Sequence, residues 1–156
     1  IEGGATLALL GDGDPEIAEA LVELEQSYPG RVVFRAGWDD ALARRLYAGA
    51  DAVLVPSRFE PCGLVQRIAH RYGALPIAHA VGGLRDTIRD GVNGILFEPL
   101  TVEALVEAVE RGAALRDEQG RSLRRKLLRE DVSGKKPAAR WETQLIAVAT
   151  VAAARL

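Results

Sequence analysis

An α/β fold, with a parallel sheet carrying helices on both faces, is predicted by three features of this sequence. Apolar runs too short for helices alternate with segments of helical periodicity, the pattern of repeated β–α–β units. Each segment is closed by glycine, proline or aspartate rather than merging into the next. The glycine-bearing loops at Gly37, Gly63 and Gly82-Gly83 each follow an apolar run directly. In one open parallel sheet such loops cluster along the carboxyl edge of the strands, where these sheets bind ligands.

The elements follow in order. Ala5 to Leu10 is an expected strand ended by Gly11-Asp12-Gly13-Asp14-Pro15, in which Asp14 caps a helix and Pro15 takes its first position. That helix carries Ile17, Leu21 and Leu24 and stops at Tyr28-Pro29-Gly30. The Gly11–Asp14 turn lacks the third glycine and the lysine of phosphate-loop fingerprints, so it reads as a plain turn. Val32 to Ala36 is the second strand. Asp39 or Asp40 caps a helix whose apolar face is Leu42, Leu46, Ala43 and Tyr47. Ala52 to Val55 is the third strand, and the helix after its loop places Leu64, Ile68 and Tyr72 on one face before Gly73. Leu75 to Ala78 is a fourth strand, Leu84 to Arg89 a short helix, Asp90 to Gly94 a turn and Ile95 to Phe97 a fifth strand. Thr101 caps a helix with a stripe of Val102, Leu105, Val106 and Val109 that ends at Gly112. A second helix starts near Glu118. Ser133 to Pro137 breaks the chain before a last helix, Ala138 to Leu156, carrying Trp141, Leu145 and Val148.

Composition narrows the function. The 156 residues are 48% apolar and divided by no repeat, low-complexity tract or linker, so 1–156 is expected to be a single domain. A net charge of −2 with 27% charged residues argues against nucleic acid as a partner, and the basic run Arg121–Arg129 reads as a solvated face. A single cysteine, Cys62, excludes an internal disulfide, and with His70 and His79 it is too little for a metal site, so neither metal nor cofactor is expected. No apolar run approaches the roughly 20 residues that span a bilayer, and no signal leader is visible. No membrane partner and a cytoplasmic location are expected.

The densest chemistry lies between Asp51 and Leu64. A buried strand there runs into a loop with one acid, Glu60, one base, Arg58, and a glycine, Gly63, at the start of a helix. Its position alone makes this loop a candidate half of an active site. Trp38 ends the preceding strand beside Gly37, Asp39 and Asp40, where a lone tryptophan reads first as packing.

Ala-Asp-Ala-Val-Leu-Val-Pro-Ser-Arg-Phe-Glu-Pro-Cys-Gly-Leu-Val-Gln, residues 50–66, resembles the signature of bacterial glycogen synthases and plant starch synthases, members of glycosyltransferase family 5. Tyr-Gly-Ala-Leu-Pro-Ile (72–77), Gly-Gly-Leu-Arg-Asp-Thr-Ile (82–88), Leu-Leu-Gly-Asp-Gly-Asp-Pro (9–15), Tyr-Pro-Gly-Arg-Val (28–32) and the stretch 131–141 follow at that family's spacing. The resemblance implies the Rossmann-like C-terminal domain of a two-domain GT-B glycosyltransferase. It implies a retaining transfer of glucose from ADP-glucose to the nonreducing end of an α-1,4-glucan, with the donor held in this domain. By position, Glu60 matches the acid beside the transferred glucose, and the amides of Gly63, Leu64 and Val65 match those that meet the diphosphate. Trp38 matches an aromatic that stacks on adenine, Cys62 a cysteine near the donor that packs rather than attacks, and Gly82 and Gly83 a glycine pair shaping the pocket.

Three departures bear on donor choice. Val65 stands where the family has threonine, His79-Ala80-Val81 where it often has Arg-Arg-Thr, and Gly134 where it has tryptophan or a similar residue. The family also carries an arginine and a lysine, in a segment like Arg-Leu-x-x-Gln-Lys-Gly, before the strand that here begins at Ala5. With that segment and the acceptor domain absent, an incomplete domain, inactive by itself, is expected. Its bared apolar edge or face is expected to favour a homodimer. A non-catalytic binding or dimerisation module, and a GT-B enzyme using another donor, remain the alternatives.

Overall fold

The structure, a computed structural model, describes residue 1 and residues 3–153. Five parallel strands alternate with helices as expected, but they form two sheets rather than one. β1 (Leu7–Gly11) pairs with β2 (Val32–Ala36), and β3 (Ala52–Val55), β4 (Leu75–His79) and β5 (Ile95–Phe97) form the other sheet in that order. The glycine loops therefore lie on two carboxyl edges. The Gly37 loop belongs to the two-stranded sheet, and those of Gly63 and Gly82-Gly83 to the three-stranded one.

The helices start where their caps put them. α1 (Pro15–Ser27) opens on Asp14, whose carboxylate accepts the Glu16 amide at 2.9 Å. α2 (Asp40–Gly49) opens on Asp39, which accepts from Ala41 and Leu42. Each cap is worth about 1 kcal/mol. α3 (Leu64–Tyr72) is bounded by two glycines in the left-handed region, Gly63 at φ 65° and Gly73 at φ 74°. α4 (Gly82–Thr87) starts earlier than expected and takes both glycines into its first turn.

α5 (Val102–Gln119) is capped by Thr101 but runs straight through Gly112. Gly112 is no stop. It is buried where a Cβ would come within 2.9 Å of Ile77 Cδ1, so it lets α5 lie close on β4. α6 (Arg121–Leu127) follows Gly120, at φ 50°. α7 (Lys135–Ala153) begins before Pro137, which sits in the first turn, where a missing N–H breaks no helical bond. The expected extension of this helix to Leu156 lies outside the described residues. Trp141, Leu145 and Val148 of α7 are all exposed.

The core lies around β4, whose Leu75, Pro76, Ile77 and Ala78 are buried on both faces. On one face Leu75, Ile77, Ile95 and Phe97 pack against Ala108, Leu123 and Leu127 of α5 and α6. On the other, Val55 and Ala78 pack against Leu84 and Ile88, flanked by Val53, Val65 and Leu96. Side chains of the size of Leu75 and Ile77 contribute about 1.5–3 kcal/mol each on full burial. Outside this sheet, α2 meets α3 through stacked Tyr47 and Tyr72 rings, 6.0 Å apart. Burial pushes the Tyr47 phenol pKa up.

The inward face of α3 is not the expected one. Gln66, Ala69 and His70 are buried, whereas Leu64 and Ile68 are exposed. Each of the two buried polar residues makes one side-chain hydrogen bond. Gln66 Nε2 donates to Thr87 Oγ1, and His70 Nε2 lies 2.6 Å from the Asn93 carbonyl. Ala52 and Leu54, on one face of β3, are also exposed. Among the described residues no helix is long and apolar enough to cross a membrane.

Candidate functional site

The loop from Pro56 to Gly63 folds back over the start of α4. The Gly83 N–H donates to the Glu60 carbonyl at 2.9 Å. The approach is close enough to demand glycine on the α4 side. A Cβ on Gly82 would lie 2.3 Å from the Glu60 carbonyl oxygen, and one on Gly83 2.8 Å from that of Pro61. Gly82 also sits at φ 46°, where a side chain is strained in any case. This pair is expected to shape a pocket; what the structure shows is that it lets two backbone segments touch.

The Glu60 side chain turns toward α3. Its Oε1 accepts the Gly63 N–H at 3.0 Å, so a half-buried carboxylate lies at the amino end of that helix. The first amides of a helix have no intrahelical acceptor and carry its positive end. In α3 those are the amides of Leu64, Val65 and Gln66, next to Glu60. A carboxylate and a row of free N–H groups within one turn suit a ligand offering hydroxyls to the first and anionic oxygens to the second.

Each expected site residue is thereby placed. Glu60, Cys62 and Gly63 lie on the Pro56–Gly63 loop, Leu64 and Val65 open α3 directly after it, and Gly82 and Gly83 open α4, whose start touches that loop. Cys62 is a free, exposed thiol. The Leu64 side chain is 66% exposed, and that of Val65 packs into the core beside Val55 and Ala78. Val65 can thus serve a ligand through its amide and not its side chain. Trp38 stands apart on the other sheet, 89% exposed, with its indole N–H donating to Asp40 Oδ1 at 3.0 Å. A flat, unburied ring of this kind offers a stacking surface.

Three further residues hold the loops and were not singled out for it. His79 Nδ1 meets the Ser57 carbonyl at 2.7 Å, which requires the proton on that nitrogen, and its ring lies against Phe97. Gln66 and Thr87 link α3 to α4. The available signal is a polar residue in the first turn of a short helix, Gln66 between Val65 and Ile68, which amphipathic counting assigns to solvent. Among the described residues no group of three or more His, Cys, Asp or Glu side chains is placed to hold a metal ion. A groove of about 690 Å³ lies along the basic run, lined by Ser122, Arg125, Lys126, Arg129, Glu130 and Asp131. None of those residues belongs to the two loops, and their mixed charge is that of a solvated face.

Comparison with known proteins gives concordant results. Residues 2–114 match the family model described as glycosyl transferases group 1. A glycogen synthase of Xanthomonas axonopodis pv. citri is 53% identical over 111 residues, which is 71% of this chain and 23% of that protein. The chain therefore spans about a quarter of the length of such relatives. The catalytic domain of starch synthase IV from Arabidopsis thaliana, bound to ADP and acarbose, superposes with a TM-score of 0.79. It is 31% identical, and the match covers 90% of this chain and 31% of that one. The Anabaena protein HepE, in complex with UDP-glucose, superposes at 0.61 with 25% identity, over 79% of this chain and 35% of that one.

Proposed function

The chain belongs to the glycosyl transferases group 1 family, and from that premise we propose that residues 1–156 are the donor-holding domain of a cytoplasmic glycogen or starch synthase. The observation that carries this reading is the Glu60 carboxylate fixed at the amino end of α3 by the Gly63 amide. ADP-glucose is the proposed donor, in line with the ADP bound to the starch synthase relative, and an α-1,4-glucan is the proposed acceptor. In the transfer, the bond from the anomeric carbon to the diphosphate oxygen breaks, and ADP leaves with the electron pair. A bond to the acceptor hydroxyl oxygen forms, and the proton of that hydroxyl passes to the departing diphosphate oxygen. Glu60 accepts hydrogen bonds from glucose hydroxyls and stabilises positive charge building at the anomeric carbon. The Leu64 and Val65 amides bind the diphosphate and stabilise the charge that develops as it leaves. The Gly63 amide is taken by Glu60, which it holds beside them. Trp38 stacks on the adenine, Cys62 packs beside the donor without attacking it, and Gly82 and Gly83 keep the pocket open.

By itself this chain is expected to transfer no labelled glucose into glucan. The stretch Pro56–Gly63 offers a leaving diphosphate one cation, Arg58. Robust incorporation by the isolated chain overturns that expectation. Binding is tested by calorimetric titration with ADP-glucose and UDP-glucose, with Glu60→Gln as the comparison. Preference for ADP-glucose, weakened in Glu60→Gln, supports the reading, and no binding of either sugar nucleotide removes it.

His79 favours a second reading, a different donor, because it ties the Glu60 loop at Ser57 where the resembling family often has arginine. Preference for UDP-glucose in the same titration selects it. The exposed Ala52–Leu54 face of β3 favours docking of a second copy. Light-scattering mass at two concentrations decides that point, and a clean monomer excludes it.

A further inference from the structure

Gln66 is fully buried, and its Oε1 is the one buried side-chain polar atom among the described residues with no hydrogen-bond partner. The orientation of the amide is fixed by its neighbours. Thr87 Oγ1 donates to the Gly83 carbonyl at 2.5 Å, so its proton is committed, and it accepts from Gln66 Nε2 at 2.7 Å. A flipped amide would set two acceptors against each other. The carboxamide therefore lies against Gly63, where a Cβ would come within 2.5 Å of Oε1 and 2.6 Å of Nε2.

These contacts close a ring. The Glu60 carbonyl accepts from Gly83, the Gly83 carbonyl from Thr87, and Thr87 from Gln66. Gln66 packs on Gly63, and the Gly63 amide donates back to the Glu60 carboxylate. A buried acceptor left unmade costs roughly 1–3 kcal/mol, and a leucine of similar volume would fill the space without it. Stability alone does not account for an amide here. We propose that Gln66 and Thr87 are positioning residues, which set the Glu60 carboxylate and the Gly63 amide by tying the two glycine loops into one body. The reading rests on the proposed donor site only for its consequence in binding; the ring itself exists without a ligand.

The test uses the whole chain and the variants Gln66→Leu, Thr87→Val and Thr87→Ser. Amide hydrogen exchange is followed by NMR, without ligand, at Gly63 and Gly83 and, as references, at Ile77 and Ile95. In Gln66→Leu and Thr87→Val, exchange at Gly63 and Gly83 is expected to quicken roughly fivefold to tenfold, the equivalent of one lost hydrogen bond. The two reference amides stay unchanged, and Thr87→Ser, which keeps the hydroxyl, behaves as the parent. Unchanged exchange at Gly63 and Gly83 overturns the proposal. So does acceleration by the same factor at Ile77 and Ile95, which is the mark of a merely structural role. ADP-glucose titration then reads the consequence, with roughly tenfold weaker binding expected for Thr87→Val and recovery for Thr87→Ser. If the parent chain binds no sugar nucleotide, the functional reading falls while the exchange data still decide the ring.

Discussion

Between Leu7 and Gly49, two strands and two helices bury Val32 and Phe34, and neither helix buries a single residue. Between Ala52 and Leu127, the same alternation of strand and helix closes two clusters, one on each face of β4. The difference is one of position in a sheet. β4 has a strand on either side and helices over both faces, so every residue from Leu75 to Ala78 is enclosed. β1 and β2 have only each other, and apolar residues such as Ile17, Val22 and Val33 stay in water. Helical periodicity makes a helix able to bury a face, but only a neighbouring layer buries it. The proposed site draws on both halves, with its loops on the enclosed sheet and Trp38 on the open one.

The largest expected effect tests that contrast directly. Ile77→Ala removes a fully buried side chain from the face that meets α5 and should cost about 2–5 kcal/mol in denaturant unfolding. Ile17→Ala, at a position expected from its spacing to be equally apolar, should stay within about 0.5 kcal/mol. Comparable losses at the two positions would mean that α1 is covered in solution.

Glycines sharpen the same point at a smaller scale. Gly82→Ala combines left-handed strain, about 1–3 kcal/mol, with a Cβ forced onto the Glu60 carbonyl, where no flexible side chain can give way. Gly37→Ala, at φ 102°, carries strain alone, because nothing lies within 4 Å of its Cβ position. Thermal unfolding should rank Gly82→Ala as clearly the worse, and equal losses would remove the close approach of the two loops. Smaller and of opposite sign is Gly49→Ala. Gly49 ends α2 in open space with no positive φ, so alanine should stabilise by about 0.4–1 kcal/mol through the unfolded chain.

What the sequence shows follows the same division. The bounds of β2, β3, α3 and β5 are legible from short apolar runs and their punctuation, because local chemistry sets them. The Glu60 loop is legible too, since its proline, acid and glycine lie within one turn of chain. Two glycines mislead. Gly112 looks like a helix stop by propensity, yet the proximity of Ile77 makes it the residue that fits. Gly82-Gly83 looks like a loop, yet it opens α4 because the Glu60 carbonyl needs the space. Gln66 is hidden for a related reason, because its partner Thr87 lies on another helix and periodicity counts only neighbours on its own. The break into two sheets depends on which strands meet, a property of tertiary pairing that strand patterns do not carry.

The smallest expected effect belongs to one proton in the enclosed half. His70 is buried at the end of α3, its Nε2 donating to the Asn93 carbonyl. Desolvation dominates and lowers its pKa below 6.5; Arg89 lowers it further, while the carbonyl bond and Glu130 oppose the shift. The unfolded chain then binds a proton at higher pH than the folded one. The stability His70 contributes is therefore full above about pH 6.5 and is lost as pH falls through the folded value. Melting temperature should drop on going from pH 7.5 to 5, and that drop should shrink in His70→Gln. Both histidines lie beyond Asp51, so exchange at the amides of β1 and β2 should lack this His70-dependent component. If those amides instead followed the same pH curve, and followed His70→Gln, the two halves would unfold as one cooperative unit, and the contrast in burial would not extend to stability.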